Sequence, residues 1–273
     1  MNKIKQLPYG VSDFEYVMRD NLYYVDKTMY IPMLEEQPRN LMFIRPRRFG
    51  KSLLLSMLKT YYDKAKKDQF EEIFGSLWIG KHPTPLMGRY QVMHLDFSQI
   101  GGSIDELEKK FDEYLCFTLD DFVNKYANDY PDYFIKAFFD CKTYTGKLIQ
   151  ITTIANRLRI PMYLIIDEYD NFTNVVLSEK GEEVYHKMTH AEGFYRDVFK
   201  KFKGTFERIF FTGVSPVTLD DLTSGFNIGW NISTLFYFDK MLGFSTDEVR
   251  EMFKYYKEAG LLPDNCDIEA MIE

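Results

Sequence analysis

The chain is poor in the residues that staple small secreted folds or build metal centres. Its three cysteines, Cys116, Cys141 and Cys266, are scattered over 273 residues. They give neither a disulfide framework nor a zinc pattern, which fits a reducing, cytoplasmic setting. His186 and His190 stand four apart, but HKMTH lacks the glutamate of H-E-x-x-H and a third ligand, so both read as surface residues. No apolar run approaches the roughly 20 residues of a membrane span, and MNKIKQLPYG lacks the apolar centre of a signal peptide. No internal repeat or low-complexity segment is present. Positive charge is in deficit, 34 Lys and Arg against 41 Asp and Glu. That disfavours a surface that coats nucleic acid but allows a local basic patch.

A hydrophobic content of 45% and an aromatic content of 17% suffice for one large α/β domain, or one domain with a small appendage. The most informative stretch is Leu41–Leu55, LMFIRPRRFGKSLLL. A short apolar run leads into a basic loop and then a run of helical composition: strand, phosphate loop, helix. The P-loop pattern is G-x-x-x-x-G-K-[ST]. Gly50, Lys51 and Ser52 match it, whereas Arg45 stands where the first glycine belongs. Gly50 lets the backbone approach phosphate closely, and the N–H groups of the loop and helix start receive the anion. Lys51 supplies a point charge and Ser52 a hydroxyl for Mg²⁺. Pro46 stiffens the turn, and Arg47 and Arg48 add positive charge. Residues Arg45, Pro46, Arg47, Arg48, Phe49, Gly50, Lys51, Ser52 and Leu53 are thus the candidate nucleotide contacts.

A second signal is MYLIIDEYDNF, Met162–Phe172. A continuous apolar run reads as a buried parallel strand whose carboxyl end faces the ligand. Asp167 at that end is placed to share a Mg²⁺ shell with Ser52, and Glu168 to act as general base toward water. Asp170 and Asn171 extend the acidic turn without an assigned role. Strands are expected at 41–44, 92–97, 162–166, 208–213 and 234–239. Capping boxes are expected at Ser103 with Glu106 and at Ser245 with Glu248. The second precedes an amphipathic helix carrying Val249, Met252, Phe253 and Tyr256.

This strand order resembles P-loop ATPases with an added catalytic-glutamate strand, whose parallel sheet runs 5-1-4-3-2. The resemblance implies that Thr212, ending the fourth strand, senses the γ-phosphate. LPYGVSDFEYV, YYVDKT, IRPRRFGKSLLLSML, IIDEYDNF, FFTGVSP and SGFN resemble the bacterial AAA-ATPase-like family from Leu7 to about Tyr256. Arg45 agrees with that family while departing from the general P-loop. The resemblance implies ATP and Mg²⁺ as cofactors and an ATPase core over residues 1–240. It also implies a helical lid from 241, expected to be cut short at 273. Residues 7–14, with Tyr9 and Phe14, belong to the family pattern and are expected to hold the adenine, the alternative being that they only cover the core. Members often continue into a nuclease-like domain of the PD-(D/E)XK type, so nucleic acid would be reached only through a domain that this chain lacks. Three functions follow. The first is Mg-dependent ATP hydrolysis that drives a conformational switch or remodels a partner. The second is a nucleotide-binding scaffold with little turnover, a reading that leans on Arg45. The third is a phosphotransferase, ranked last because Glu168 beside Asp167 favours water as nucleophile. No later arginine lies in a finger pattern, with Arg196 and Arg208 the ones to examine. The isolated chain is therefore expected to turn over weakly and to gain from a second copy or a protein partner.

Overall fold

The computed structural model describes residues 4–100, 106–189, 194–215, 229–263 and 265–272. Five strands form one parallel sheet: β1 (Asn40–Ile44), β2 (Gln91–Asp96), β3 (Met162–Asp167), β4 (Arg208–Gly213) and β5 (Trp230–Asn231). Their order is β2-β3-β4-β1-β5, the expected 5-1-4-3-2. Strand side chains alternate between faces, so each face collects its own apolar layer. Met42, Leu164, Ile166, Ile209 and Phe211 face one core cluster, and Leu41, Phe43, Tyr163, Ile165 and Phe210 face the other.

Helices cover both faces. On one side lie α1 (Phe14–Arg19), α2 (Tyr30–Glu35), α3 (Lys51–Tyr62), α4 (Phe70–Phe74) and α5 (Trp78–Lys81). On the other lie α6 (Leu107–Lys125), α7 (Asp132–Asp140), α8 (Tyr144–Leu158), α9 (Asn171–Lys180), α10 (Glu182–Thr189) and α11 (Phe194–Thr205). α3 is apolar around most of its circumference, and its Leu54, Leu55, Met57, Leu58, Tyr61 and Tyr62 are all buried. A helix of that kind must be covered on several sides. Asp13 caps α1 through a bond from the Tyr16 amide. The capping box of Ser245 and Glu248 opens α12 (Thr246–Glu258), which precedes the short α13 (Ile268–Ile272). Val249, Met252, Phe253 and Tyr256 on α12 are half-buried. Ser103 and His190 lie outside the described residues; His186 is exposed. Among the described residues no helix is long and apolar enough to cross a membrane.

The fifth strand departs from expectation. TLFYFD does not pair; Phe236–Phe238 is a 3₁₀ turn, and the strand is the preceding Trp230–Asn231. The ladder stops because Ser233 takes over. Its hydroxyl accepts the Ile44 amide at 2.7 Å, and its own amide turns back to Asn231 Oδ1 at 2.9 Å. The aromatic run has strand composition, yet Phe238 is used to plug the core below the sheet. β-propensity reports a fit to a half-buried surface rather than a backbone preference.

Candidate functional site

In a parallel sheet the crevice opens above the carboxyl ends of the strands where the winding reverses. Here the crevice gathers the ends of β1, β3 and β4. β1 runs into the loop Arg45–Gly50, which bends through left-handed backbone at Arg48 (φ 67°) and Gly50 (φ 89°). Gly50 adopts that conformation without a Cβ clash and ends the loop at the N-terminus of α3, with no side-chain cap on the helix N–H groups. Lys51 is the first helical residue. Its stem is buried, and its ammonium donates to the carbonyls of Arg45 and Pro46, both at 3.0 Å. An ammonium has three donors. Two fix its position and leave the third for a ligand. Burial pulls the Lys51 pKa below the ordinary lysine value, while Asp167, Glu168 and Asp170 push it back up.

Across the crevice, Asp167 ends β3. Ser52 Oγ donates to its Oδ2 at 2.6 Å, and Thr212 Oγ1 donates to its Oδ1 at 2.7 Å. The Glu168 amide also donates to Oδ1, at 3.0 Å. Three neutral donors thus hold one buried carboxylate. Glu168 itself is half-buried and left-handed (φ 50°), a conformation uncommon for a side chain with a Cβ. Burial raises its carboxyl pKa above the ordinary glutamate value and Asp167 adds to the rise, whereas Arg47 and Lys51 oppose it. Ser52 and Asp167 offer hard oxygen donors suited to Mg²⁺. Among the described residues no three His, Cys, Asp or Glu are arranged to hold a metal, and a cation held by Ser52 and Asp167 would need further ligands from outside these side chains.

Arg45 turns out to be an anchor. Its guanidinium donates to the carbonyls of Ile44 (3.0 Å) and Ser233 (2.9 Å), lies 4.4 Å over the Phe43 ring and pairs with Asp239 at 3.5 Å. Its amide donates to Gly213 O, tying the loop to β4. The side chain is therefore spent on the β5 side of the loop.

Beside the loop lies a cavity of about 450 Å³ with mainly apolar walls. Arg48, Phe49, Gly50, Leu53 and Leu54 form one wall, Leu7, Pro8, Tyr23, Tyr24, Val25 and Lys27 a second, and Met241–Phe244 with Met252 a third. The second and third walls are bonded together. Lys27 donates to Lys240 O (2.8 Å) and to Glu248 Oε1 (2.5 Å), and the Lys5 backbone bonds to the hydroxyls of Tyr255 (2.8 Å) and Tyr256 (2.9 Å).

The structure brings together Lys51, Ser52, Asp167, Glu168 and Thr212, and it places Phe49, Gly50 and Leu53 at the cavity. Pro46, Arg47 and Arg48 form the exposed rim of the loop, and Arg48 also lines the cavity. Tyr9 is 98% exposed and is not a lining residue, although its neighbours Leu7 and Pro8 are. Arg208 starts β4 at the opposite end of the sheet and donates to Glu35 O, so it cannot reach this crevice. Sequence reasoning missed Lys27, whose role depends on a contact 221 residues away. It also missed Asp96, the register partner of Asp167 at the end of β2.

A family model described as "Predicted AAA-ATPase" matches residues 8–223, a span that includes every residue of the crevice. The chain belongs to this predicted AAA-ATPase family. The resemblance drawn from the motifs is thereby borne out, and membership supports nucleotide binding in general. The chain is also similar to a protein of Azotobacter chroococcum mcd 1 named "Uncharacterized protein in vnfD 5'region", with 28% identity over 265 residues. The match takes in 91% of this chain and 45% of the relative, so the chain spans less than half the relative's length. No solved structure matches it.

Proposed function

We propose that this member of the AAA-ATPase family binds ATP with Mg²⁺ and hydrolyses it, using the cycle to switch its own conformation or to remodel a partner. The observation that carries the reading is the Asp167 carboxylate, which joins Ser52 of the phosphate loop to Thr212 of β4 and sets Glu168 beside them. Arg45–Leu53 wrap the phosphates, and Lys51 offers its free N–H to them. Ser52 and Asp167 would hold Mg²⁺, which when bound neutralises charge on the phosphate oxygens. Glu168 orients and deprotonates the attacking water, its raised pKa making it a better base. Thr212 donates toward the γ-phosphate when its hydroxyl turns from Asp167.

The apolar cavity takes the base, with the N-terminal segment contributing Leu7 and Pro8 in place of Tyr9. Residues 1–240 then act as the ATPase core and 241–273 as a lid. Turnover by the isolated chain is modest, and an arginine from a second copy or a protein partner raises it. The scaffold alternative leans on Arg45; the engagement of its side chain with Ser233 and Phe43, on the β5 side of the loop, supports the hydrolytic reading over it. Titration calorimetry of MgATP against ATP in EDTA tests the reading. Binding that needs Mg²⁺ and is lost in Asp167→Asn supports it; absence of binding by the parent chain contradicts it.

A further inference from the structure

The paired ladder of β3 and β4 ends at Ile166 and Phe211, one residue below the level of Asp167 and Thr212. Above that level other contacts set the distance between the two strand exits. The Tyr169 amide donates to Thr212 O at 3.0 Å. The Tyr169 hydroxyl donates to Ser215 O at 2.6 Å. Asp170 supplies the strongest grip: its Oδ2 accepts the amides of Val214 (3.0 Å) and Ser215 (2.6 Å) and the side-chain amide of Asn174 (3.1 Å).

Asp170 occupies the N-cap position of α9, where an aspartate ordinarily caps its own helix. Here it makes no such bond. Its carboxylate, 1% exposed, is committed to the exit of β4 instead. The approach is so close that a Cβ on Gly213 would lie 2.3 Å from the Tyr169 ring and 2.6 Å from Asp170 Oδ1. Glycine is required there because any side chain would force the two exits apart. Between this clasp and Asp167 stands Glu168, with left-handed backbone (φ 50°). Such a conformation persists where its surroundings over-determine it. On one side Asp167 bonds the Glu168 amide, and on the other the Asn171 amide donates to Glu168 O at 2.9 Å.

We propose that Asp170 is a positioning residue for hydrolysis: by gripping Val214 and Ser215 it fixes the exit of β4 against the turn after β3, and so sets the spacing between Thr212 and the Glu168 carboxylate. This rests on the hydrolytic reading above. The Asp170 carboxylate is committed to Val214, Ser215 and Asn174, so its main effect falls on rate rather than on nucleotide affinity. A misplacement of the order of an ångström at a reacting group can cost about 100-fold in rate.

The test compares the parent chain, Asp170→Asn and Tyr169→Phe. The asparagine keeps one acceptor oxygen and replaces the other with an NH₂ group that cannot accept, so the Val214 amide, bonded to both oxygens, loses one of them, and the charge behind the Val214 and Ser215 bonds is removed. The phenylalanine keeps the ring and removes the hydroxyl that bonds Ser215 O. Hydrogen–deuterium exchange over residues 208–215, MgATP affinity by calorimetry and kcat are measured for each. In Asp170→Asn the expected result is faster exchange, affinity within about threefold of the parent and kcat lower by about tenfold or more. Tyr169→Phe shifts kcat in the same direction by less. Unchanged exchange in Asp170→Asn overturns the clasp. Loosened exchange with parent-like kcat overturns its positioning role, as does a parallel loss of affinity, kcat and thermal midpoint. A parent chain without turnover overturns the hydrolytic reading on which the proposal rests, and this shows before any substitution is compared.

Discussion

Ser52 and Asp167 lie 115 residues apart in the chain and meet through a 2.6 Å hydrogen bond. One comes from the helix that opens after β1, the other from the end of β3, with β4 between the two strands in the sheet. The hydroxyl and carboxylate together form a compact oxygen pair beside the Lys51 ammonium. A sheet of this winding order brings its first and third strand ends to the same crevice, so the contact follows from the topology.

Lys51 carries the charge of the site, and its removal defines the first prediction. Lys51→Met keeps the buried stem and deletes the ammonium, so packing is largely retained. Charge-assisted hydrogen bonds contribute about 1.5–3 kcal/mol, so MgATP affinity is expected to fall roughly 10- to 100-fold. Calorimetry reads this directly. Parent-like affinity would take the phosphates away from this loop.

Arg45→Gly restores the general P-loop residue, and the structure predicts that this harms the protein. The substitution deletes bonds to Ile44 O and Ser233 O and the contact with Phe43, and it adds backbone freedom to the loop. The expected cost is ~1–3 kcal/mol, seen as a melting point lower by roughly 2–10 °C. MgATP affinity falls with it. A stabilised variant that binds more tightly would mean that Arg45 obstructs the loop.

The bond between Lys27 and Glu248 makes the attachment of α12 sensitive to acid. Burial works against the Glu248 charge, but the Lys27 hydrogen bond, the Ser245 amide and the Lys27 charge outweigh it, and the net shift is downward from 4.5. A carboxyl whose folded pKa is depressed stabilises above its unfolded value and loses that contribution as pH falls through the folded value. Attachment of α12 to the N-terminal segment should therefore hold through neutral and mildly acidic pH and weaken below about 4.5. Exchange protection of α12 followed against pH measures it. Glu248→Gln should lower protection at neutral pH and flatten the profile; an unaltered profile in that variant would assign the acid response elsewhere.

Much of the fold is legible in the sequence because four strands are continuous apolar runs with sharp polar ends, such as YLIID before Glu168. The fifth is not: Trp230–Asn231 is a two-residue edge strand, exposed and half-buried, and carries no pattern to read. Its pairing is set by Met42 O and Ser233. FGKS and IIDE are legible as phosphate-loop and acidic-strand signals since each needs only neighbouring residues. The contacts that complete the site are long-range. Neither the use of Arg45 as an anchor 188 residues from Ser233 nor the commitment of Asp170 to Val214 and Ser215 leaves a local trace. Tyr9 shows the opposite limit. The segment that carries it does line the cavity, but the wall is made by Leu7 and Pro8, and sequence pattern does not say which side of an irregular segment turns inward.

If Glu168 activates water at a site loaded through Lys51, Ser52 and Asp167, its carboxylate is needed for turnover and not for binding. Steady-state phosphate release from MgATP, with the parent chain and Glu168→Gln side by side and EDTA as control, tests it most directly. Slow, Mg²⁺-dependent release by the parent is expected, with a rate lower by roughly 10²–10⁴-fold in the variant and MgATP affinity retained. A Glu168→Gln chain that releases phosphate as fast as the parent would contradict it.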